Sequence, residues 1–346
     1  MTTINDRSAN NNDADNGNGR GGGGATRRSR CRRHRCKVNN DVDHHHHLTL
    51  RWWAFLSTMS LLNIAIWFYS YRTLHSKDPA VIEDDDDDDD DNGTTNNDDN
   101  TTNEYDENTN SDTAYYQRYH LMLSGVYVFA CAYRSFLPRI DLERYCLWDT
   151  MLSSIFLGRS AATIAEISFA GQIALYLRQL GDHHDHPWAK VLSMVLVPMI
   201  TIAQCFCWTG VVTLNHAYHA IEESIWAVCS LLVAFEMGSL VIYYPEKPSL
   251  YSAGVFGFVI SLAFCYYMIT VDVPMYIRRW KEGWAGKGSS RQVVRMTSFE
   301  GGKDALHRRV VTKSWDVWRE ETVWLTGYFT SAVWLSLLLV HLPAPV

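Results

Sequence analysis

The sequence lacks several signatures that would name a chemistry. It has no P-loop spacing of glycines before Lys-Ser/Thr, no GxSxG and no long repeat. A phosphate-cradling loop, a nucleophile elbow and a solenoid array are therefore excluded. The last apolar run, 323–342, contains no lysine, which excludes a Schiff-base chromophore there. Cysteine is used sparingly and in the wrong places for a disulfide scaffold. The eight cysteines sit in the basic N-terminal tail (Cys31, Cys36) or in and beside apolar runs (Cys131, Cys146, Cys205, Cys207, Cys229, Cys265). None falls in the long acidic stretch, the one region whose character suits an oxidising compartment. Cys31 and Cys36 also lie too far from the first apolar run to suggest lipidation. No cleavable secretory signal opens the chain. The first apolar run begins at Trp52 and is too long for a signal-peptide core, so it reads as a retained signal anchor.

What the sequence does have is apolar runs of bilayer length. They fall at 52–70, 119–137, 150–177, 189–214, 218–243, 251–277 and 323–342. A bilayer core takes about 20 apolar helical residues, whereas soluble helices are shorter and half-polar. The fold class expected is all-α: a polytopic membrane bundle of about seven transmembrane helices. The second run is the weakest, because Arg134 lies near its end. Around these runs the charge is segregated. Residues 73–117 hold sixteen Asp or Glu against one Lys, a net of −15; the whole chain is −7, so the remainder is +8. The acidic stretch is too polar to fold alone.

The domain reading follows. Residues 1–50 form a disordered, low-complexity basic tail that ends near His44–His47. Residues 51–72 are the first span, and 73–117 a disordered acidic loop. Residues 118–277 are a five-helix core, 278–322 a basic loop, and 323–346 the last span. Basic flanks stay on the cytosolic side, so the N-terminus is expected in the cytosol and the acidic loop in a lumen or outside. Two sequons in that loop, at Asn92 and Asn100, agree with this. The loop 278–322 carries eleven Lys or Arg against six acidic residues and falls on the cytosolic side. Its Val310, Val311, Trp315 and Trp318 lie near helical spacing, which suggests an amphipathic helix on the anionic leaflet. The partners expected are the bilayer and that leaflet, with no nucleic acid: tryptophan beside basic charge is commonest at a membrane edge. A eukaryotic secretory-pathway or plasma membrane fits the sequons and tails.

Ionisable residues inside apolar runs mark candidate function. They are Arg134, Arg159, Glu166, Glu236 and Asp272. Arg159 and Glu166 are seven apart and share a helix face, so they are expected to pair. Small residues Ser154, Gly158 and Ala162, overlapped by Ala161 and Ala165, suggest close approach of a neighbouring helix to the third run. The stretch NHAYHAIEE, residues 215–223, brings His216, His219 and Glu223 onto one helical face, a set able to ligate a metal. The same stretch reads more simply as an Asn215 N-cap with polar residues standing at the membrane surface. His183–His184 and His216-x-x-His219 are too few for the histidine boxes of membrane desaturases. Two functions remain. One is a small-solute or proton-coupled carrier using the buried carboxylates. The other is a membrane-embedded metal-dependent enzyme at His216, His219 and Glu223. A scaffold without chemistry is a third, and no cofactor is indicated.

Overall fold

The structure, a computed structural model, describes residues 24–76, 100–184, 186–285 and 296–342, with side chains over 46–76, 115–184, 186–283 and 296–342. Outside the described residues lie the tail before Gly24, the acidic loop from 77 to 99 with its Asn92 sequon, and 286–295 of the basic loop. The side chains of Cys31 and Cys36 lie outside them too. The chain divides into two compact units, Met1–His45 and His46–Val346. Of the first, only backbone helix from Gly24 is described.

In hydrocarbon a backbone must satisfy its own hydrogen bonds, and apolar runs of this length do so as helices. Among the described residues, six helices are long and apolar enough to cross a membrane: His46–His75, Ile155–His184, Pro187–Thr213, His216–Tyr243, Pro248–Gly283 and Trp315–His341. The first belongs to α1 (Gly24–His75); the next three are α3, α4 and α5. The fifth comprises α6 (Pro248–Tyr267), a π-turn at Met268–Asp272, and α7 (Val273–Ala285). The sixth comprises α9 (Trp315–Gly327), a π-turn at Tyr328–Ala332, and α10 (Val333–His341). The second expected run becomes α2 (Asn100–Phe136), which packs in the bundle but is not among the six. Its His120, Ser124 and Arg134 are buried among its apolar residues.

Local sequence explains the breaks. Pro187 and Pro248 stand at helix starts, where a missing N–H costs nothing. The gap between the third and fourth apolar runs, 178–188, is mostly helix, because α3 continues to His184 and α4 begins at Pro187. The α4–α5 turn is two residues: Leu214 adopts a left-handed φ of 54°, and Asn215 caps α5 by accepting from the Ala217 N–H at 3.1 Å. The first π-turn ends two residues before Pro274, whose ring cannot continue regular α-helical bonding. In the second, the freed Phe329 carbonyl accepts from Asn63 Nδ2 at 3.1 Å.

Two readings of the sequence need correction here. Val310 and Val311 are not on an amphipathic helix. They form β3, which pairs in parallel with β2 (Tyr145–Cys146), itself antiparallel to β1 (Arg139–Ile140). Trp318 is fully buried against Trp52, with ring centroids 5.7 Å apart, rather than lying on a leaflet. And Gly158 admits no neighbouring helix: the Arg139 side chain crosses its face, where any Cβ would collide with it. The same end of the bundle holds α8 (Ser298–His307), set by a Thr297–Glu300 capping box. Its Gly301 sits against the Val212 carbonyl. Arg144 ties these pieces together. Fully buried and with φ 62°, it donates to Asp304 Oδ2 at 2.9 Å, the Asp141 carbonyl at 2.7 Å and the Val211 carbonyl at 2.9 Å. This is called the sheet end below.

Two apolar clusters build the core. One joins α3, α4 and α5 through Leu177, Leu196, Ile200 and Val233. The other joins α1, α2, α9 and α10 through Leu56, Tyr127, Leu325 and Val333. Gln172 of α3 is fully buried between α2 and α10. It donates to the His120 and Ser336 carbonyls, both at 3.1 Å, and accepts from the Ser336 hydroxyl. Such interhelical hydrogen bonds and tight packing, rather than a hydrophobic drive, hold helices together in lipid.

Candidate functional site

Between the two clusters lies a cavity of about 550 Å³. Its polar wall starts at α3. Arg159 and Glu166 are paired as their spacing predicts, Nη2 to Oε1 at 3.1 Å. The arginine also donates to Gln204 Oε1 at 2.5 Å and reaches Glu222 Oε1 at 3.5 Å. Gln204 of α4 binds both carboxylates, Glu166 Oε2 at 2.5 Å and Glu222 Oε1 at 3.5 Å. Thr163 donates to Gln204 Oε1 at 3.0 Å and in turn accepts from the Trp208 indole at 3.0 Å. The network continues along α5, where Glu222 Oε2 lies 2.8 Å from His219 Nδ1. Cys207 Sγ is 3.7 Å from the same nitrogen. All these groups except Thr163 and Trp208 are buried. A buried charge in a low dielectric must be paired or neutralised, and one guanidinium here serves two carboxylates.

The α4–α5 turn is what puts α5's polar residues here. Asn215 fixes the helix start, so His219, Glu222 and Glu223 come one and two turns inside it, opposite Gln204 and Cys207. The expected cap is present, and these residues are packed inside the bundle. His219, Glu222 and Glu223 are each less than 10 % exposed. Glu223 also lines the cavity, and among the described residues no ion pair reaches it. Tyr276 of α7 covers His219, its ring centroid 5.2 Å away.

The sheet end of the cavity is charged, with Arg139, Asp141, Glu143, His216, Arg279 and Glu321 in its lining. Arg279 Nη2 pairs with Glu321 Oε1 at 3.1 Å and with Glu320 Oε2 at 3.3 Å. His216 Nε2 is 4.0 Å from Glu143 Oε1. Burial holds the Glu143 carboxyl above its usual range, against the opposing pull of Arg279.

The other candidates from sequence are dispersed. Arg134 lines the same cavity, 3.9 Å from Asp141 and over the Tyr328 ring at 5.7 Å. Asp272 lines a separate space of about 240 Å³ with Tyr276, Glu321 and Trp324. Glu236 lies at the opposite end of the bundle, 2.9 Å from His186 Nδ1. The ligand set His216, His219 and Glu223 is not the one brought together. Among the described residues, the side chains whose donor atoms converge within 4.8 Å are Cys207, His219 and Glu222. Gln204 and Cys207 were not singled out by sequence. The available signal was a lone glutamine in the middle of the otherwise apolar run 189–214.

Comparison with protein-family models, with curated proteins and with solved structures gives no match for this chain. What the chain does therefore rests on its own geometry, which is that of a multi-pass helical membrane protein with a polar cavity in its core.

Proposed function

We propose that this protein is a proton-coupled carrier of a small solute, with Glu166, Glu222 and Glu223 as the proton-accepting groups. The observation that carries this reading is the cavity wall itself. Two carboxylates, Glu166 and Glu222, share one arginine, Arg159, deep in the bundle, and a third, Glu223, is buried on the same wall, so binding of a solute or a proton to one changes the balance for the others. In the same reading α2 acts as a seventh span and the N-terminus is cytosolic. The sheet end, with its basic segment 278–322, then faces the cytosolic leaflet of a secretory-pathway or plasma membrane.

The test uses purified protein in liposomes that contain a pH-sensitive dye. Pools of amino acids, sugars, organic acids and single-chain lipids are added in turn. The expected result is solute-dependent proton entry, reduced at least about tenfold in Glu222→Gln. Each 1.4 kcal/mol of lost coupling corresponds to a factor of about ten. Absence of proton movement with every pool would remove the carrier reading.

One observation favours a second reading, metal-dependent chemistry. Cys207, His219 and Glu222 could offer thiolate, imidazole and carboxylate to one ion and leave a fourth position toward the cavity, the arrangement of a catalytic zinc site. Stoichiometric zinc or iron in purified protein, lost in both Cys207→Ser and His219→Ala, would establish it. Metal-free protein that still couples protons would exclude it.

A further inference from the structure

We infer that the cavity takes a single-chain amphiphile with a zwitterionic headgroup, which enters sideways from the bilayer between α6 and α10. This inference rests on the cavity being a substrate chamber, as proposed above, and names what the substrate is.

The route comes from how the helices pack. α6 packs along α5, and α10 packs along α2 and α3, but no comparable packing joins α6 to α10. The cavity is lined from both sides of that gap. At the sheet end of the gap, Tyr267 and Trp324 stack with centroids 5.9 Å apart and planes 4° from parallel. Beyond them the edges are small: Ala263 and Ser331 both line the cavity and are exposed, and a Cβ added at Gly327 would meet nothing within 4 Å. Each edge also adjoins one of the two π-turns, and π-turns recur at functional sites.

The ligand's chemistry comes from what the walls leave unsatisfied. Arg159 Nε, Arg134 Nε and His219 Nε2 are buried, belong to residues lining the cavity, and have no hydrogen-bond partner among the described residues. The arginine N–H groups call for an acceptor. Glu223, also on the wall, calls for a donor or a cation. A simple anion would face Glu166, Glu222 and Glu223 unshielded, and a simple cation would leave the guanidinium N–H groups bare. A headgroup carrying both charges answers both walls. Behind these groups, Leu196, Val233, Ile260, Phe264 and Leu335 form an apolar limb for a chain. The volume of about 550 Å³ falls within the roughly 300–1,000 Å³ of small-molecule sites.

The experiment uses the full chain in lipid nanodiscs and a diazirine-bearing lysophosphatidylcholine as probe. Saturable photolabelling of α6, α10 and the Arg159 wall is expected, competed by unlabelled lysophosphatidylcholine more than tenfold better than by oleate or hexadecylamine. The double variant Ala263→Trp/Ser331→Trp should lower labelling at least tenfold. Because that variant could misfold, Ser331→Cys in a Cys205→Ser background supplies a second arm. A benzyl methanethiosulfonate should block labelling there, and reductant should restore it. Labelling indifferent to both blocks would overturn the route. Equal or better competition by oleate or hexadecylamine would overturn the headgroup, and unsaturable labelling would overturn the site. Proton coupling to a water-soluble solute without lysolipid labelling would leave the carrier reading standing and sink this one; saturable lysolipid labelling without proton movement would do the reverse.

Discussion

Arg159 is the residue on which most of the polar core depends. It contacts Glu166, Gln204 and Glu222 at once. Removing one partner of a buried charged pair costs about 3–5 kcal/mol, because the other charge is left uncompensated. Arg159→Leu should therefore lower the yield of folded protein, measured by monodisperse material after extraction. Adding Glu166→Gln should restore part of it, since Gln204 can still bond an amide; a double variant no better than the single one would show that the pair carries no such burden. Asn215 is a simpler case. Its side chain satisfies one N–H at the start of α5, so Asn215→Ala should cost about 1 kcal/mol, read as a lower melting temperature. His219→Ala, by contrast, removes a hydrogen-bond partner of Glu222 and the ring stacked on Tyr276, and should reduce solute-dependent proton entry in the dye-loaded liposomes. At this scale the sequence was informative where both partners lay on one helix. Seven residues separate Arg159 from Glu166, and helical geometry alone brings them together. Gln204 lies 45 residues from Arg159, and Cys207 twelve from His219, so only packing of α3, α4 and α5 could reveal them. The converging set Cys207, His219 and Glu222 was out of reach of the sequence for the same reason: periodicity orders residues on one helix and is silent about a cysteine on the next.

Among the elements, the apolar runs predicted helices well because length and hydropathy are enough to require them in lipid. The three-stranded sheet was not legible. Each strand is two residues long, below any periodicity signal, and β3 is far from β1 and β2 in sequence. Its stability rests on Arg144, which holds the hairpin, α4 and α8 through one guanidinium. Arg144→Leu should loosen α8 from the bundle. Hydrogen exchange should then rise across 298–307 with little change in α3 or α5, whereas unchanged protection in α8 would mean that Gly301 and Ala305 packing suffices. The positive φ of Arg144 points to a second variant. Arg144→Gly relieves the backbone strain but deletes the bonds, so it should resemble the leucine variant rather than the wild type.

Across the whole molecule, charge distribution and helix count make a connected prediction. If the carrier reading and its topology hold, labelling tags in 181–184 and in the acidic loop should report one side, and tags in 298–309 the other. A tag pair that broke this alternation would show that α2 does not cross. That helix is where the sequence, read as about seven spans, and the structure, with six long apolar helices among the described residues, differ, since its buried His120, Ser124 and Arg134 lower its apolarity while tying it into the bundle. Interior polar residues thus weaken the very signal by which a span is recognised.

The π-turns have a consequence for how this chain can change over time. Each holds one residue more than an α-helical turn would, so the segments on either side are about 100° out of α-helical phase. In the last span, Leu325 on one side and Val333 and Leu337 on the other are all buried, and that slip brings them onto one face. Deleting a single residue from 328–332 should therefore give a regular helix that keeps its faces. Leu325 and Val333 would then stand about two full α-helical turns apart, and the buried side of α10 would stay against α2. Helices without such a turn lose their register on any one-residue deletion. Here the extra residue is held in the bulge, and its loss is the one deletion that the register can absorb.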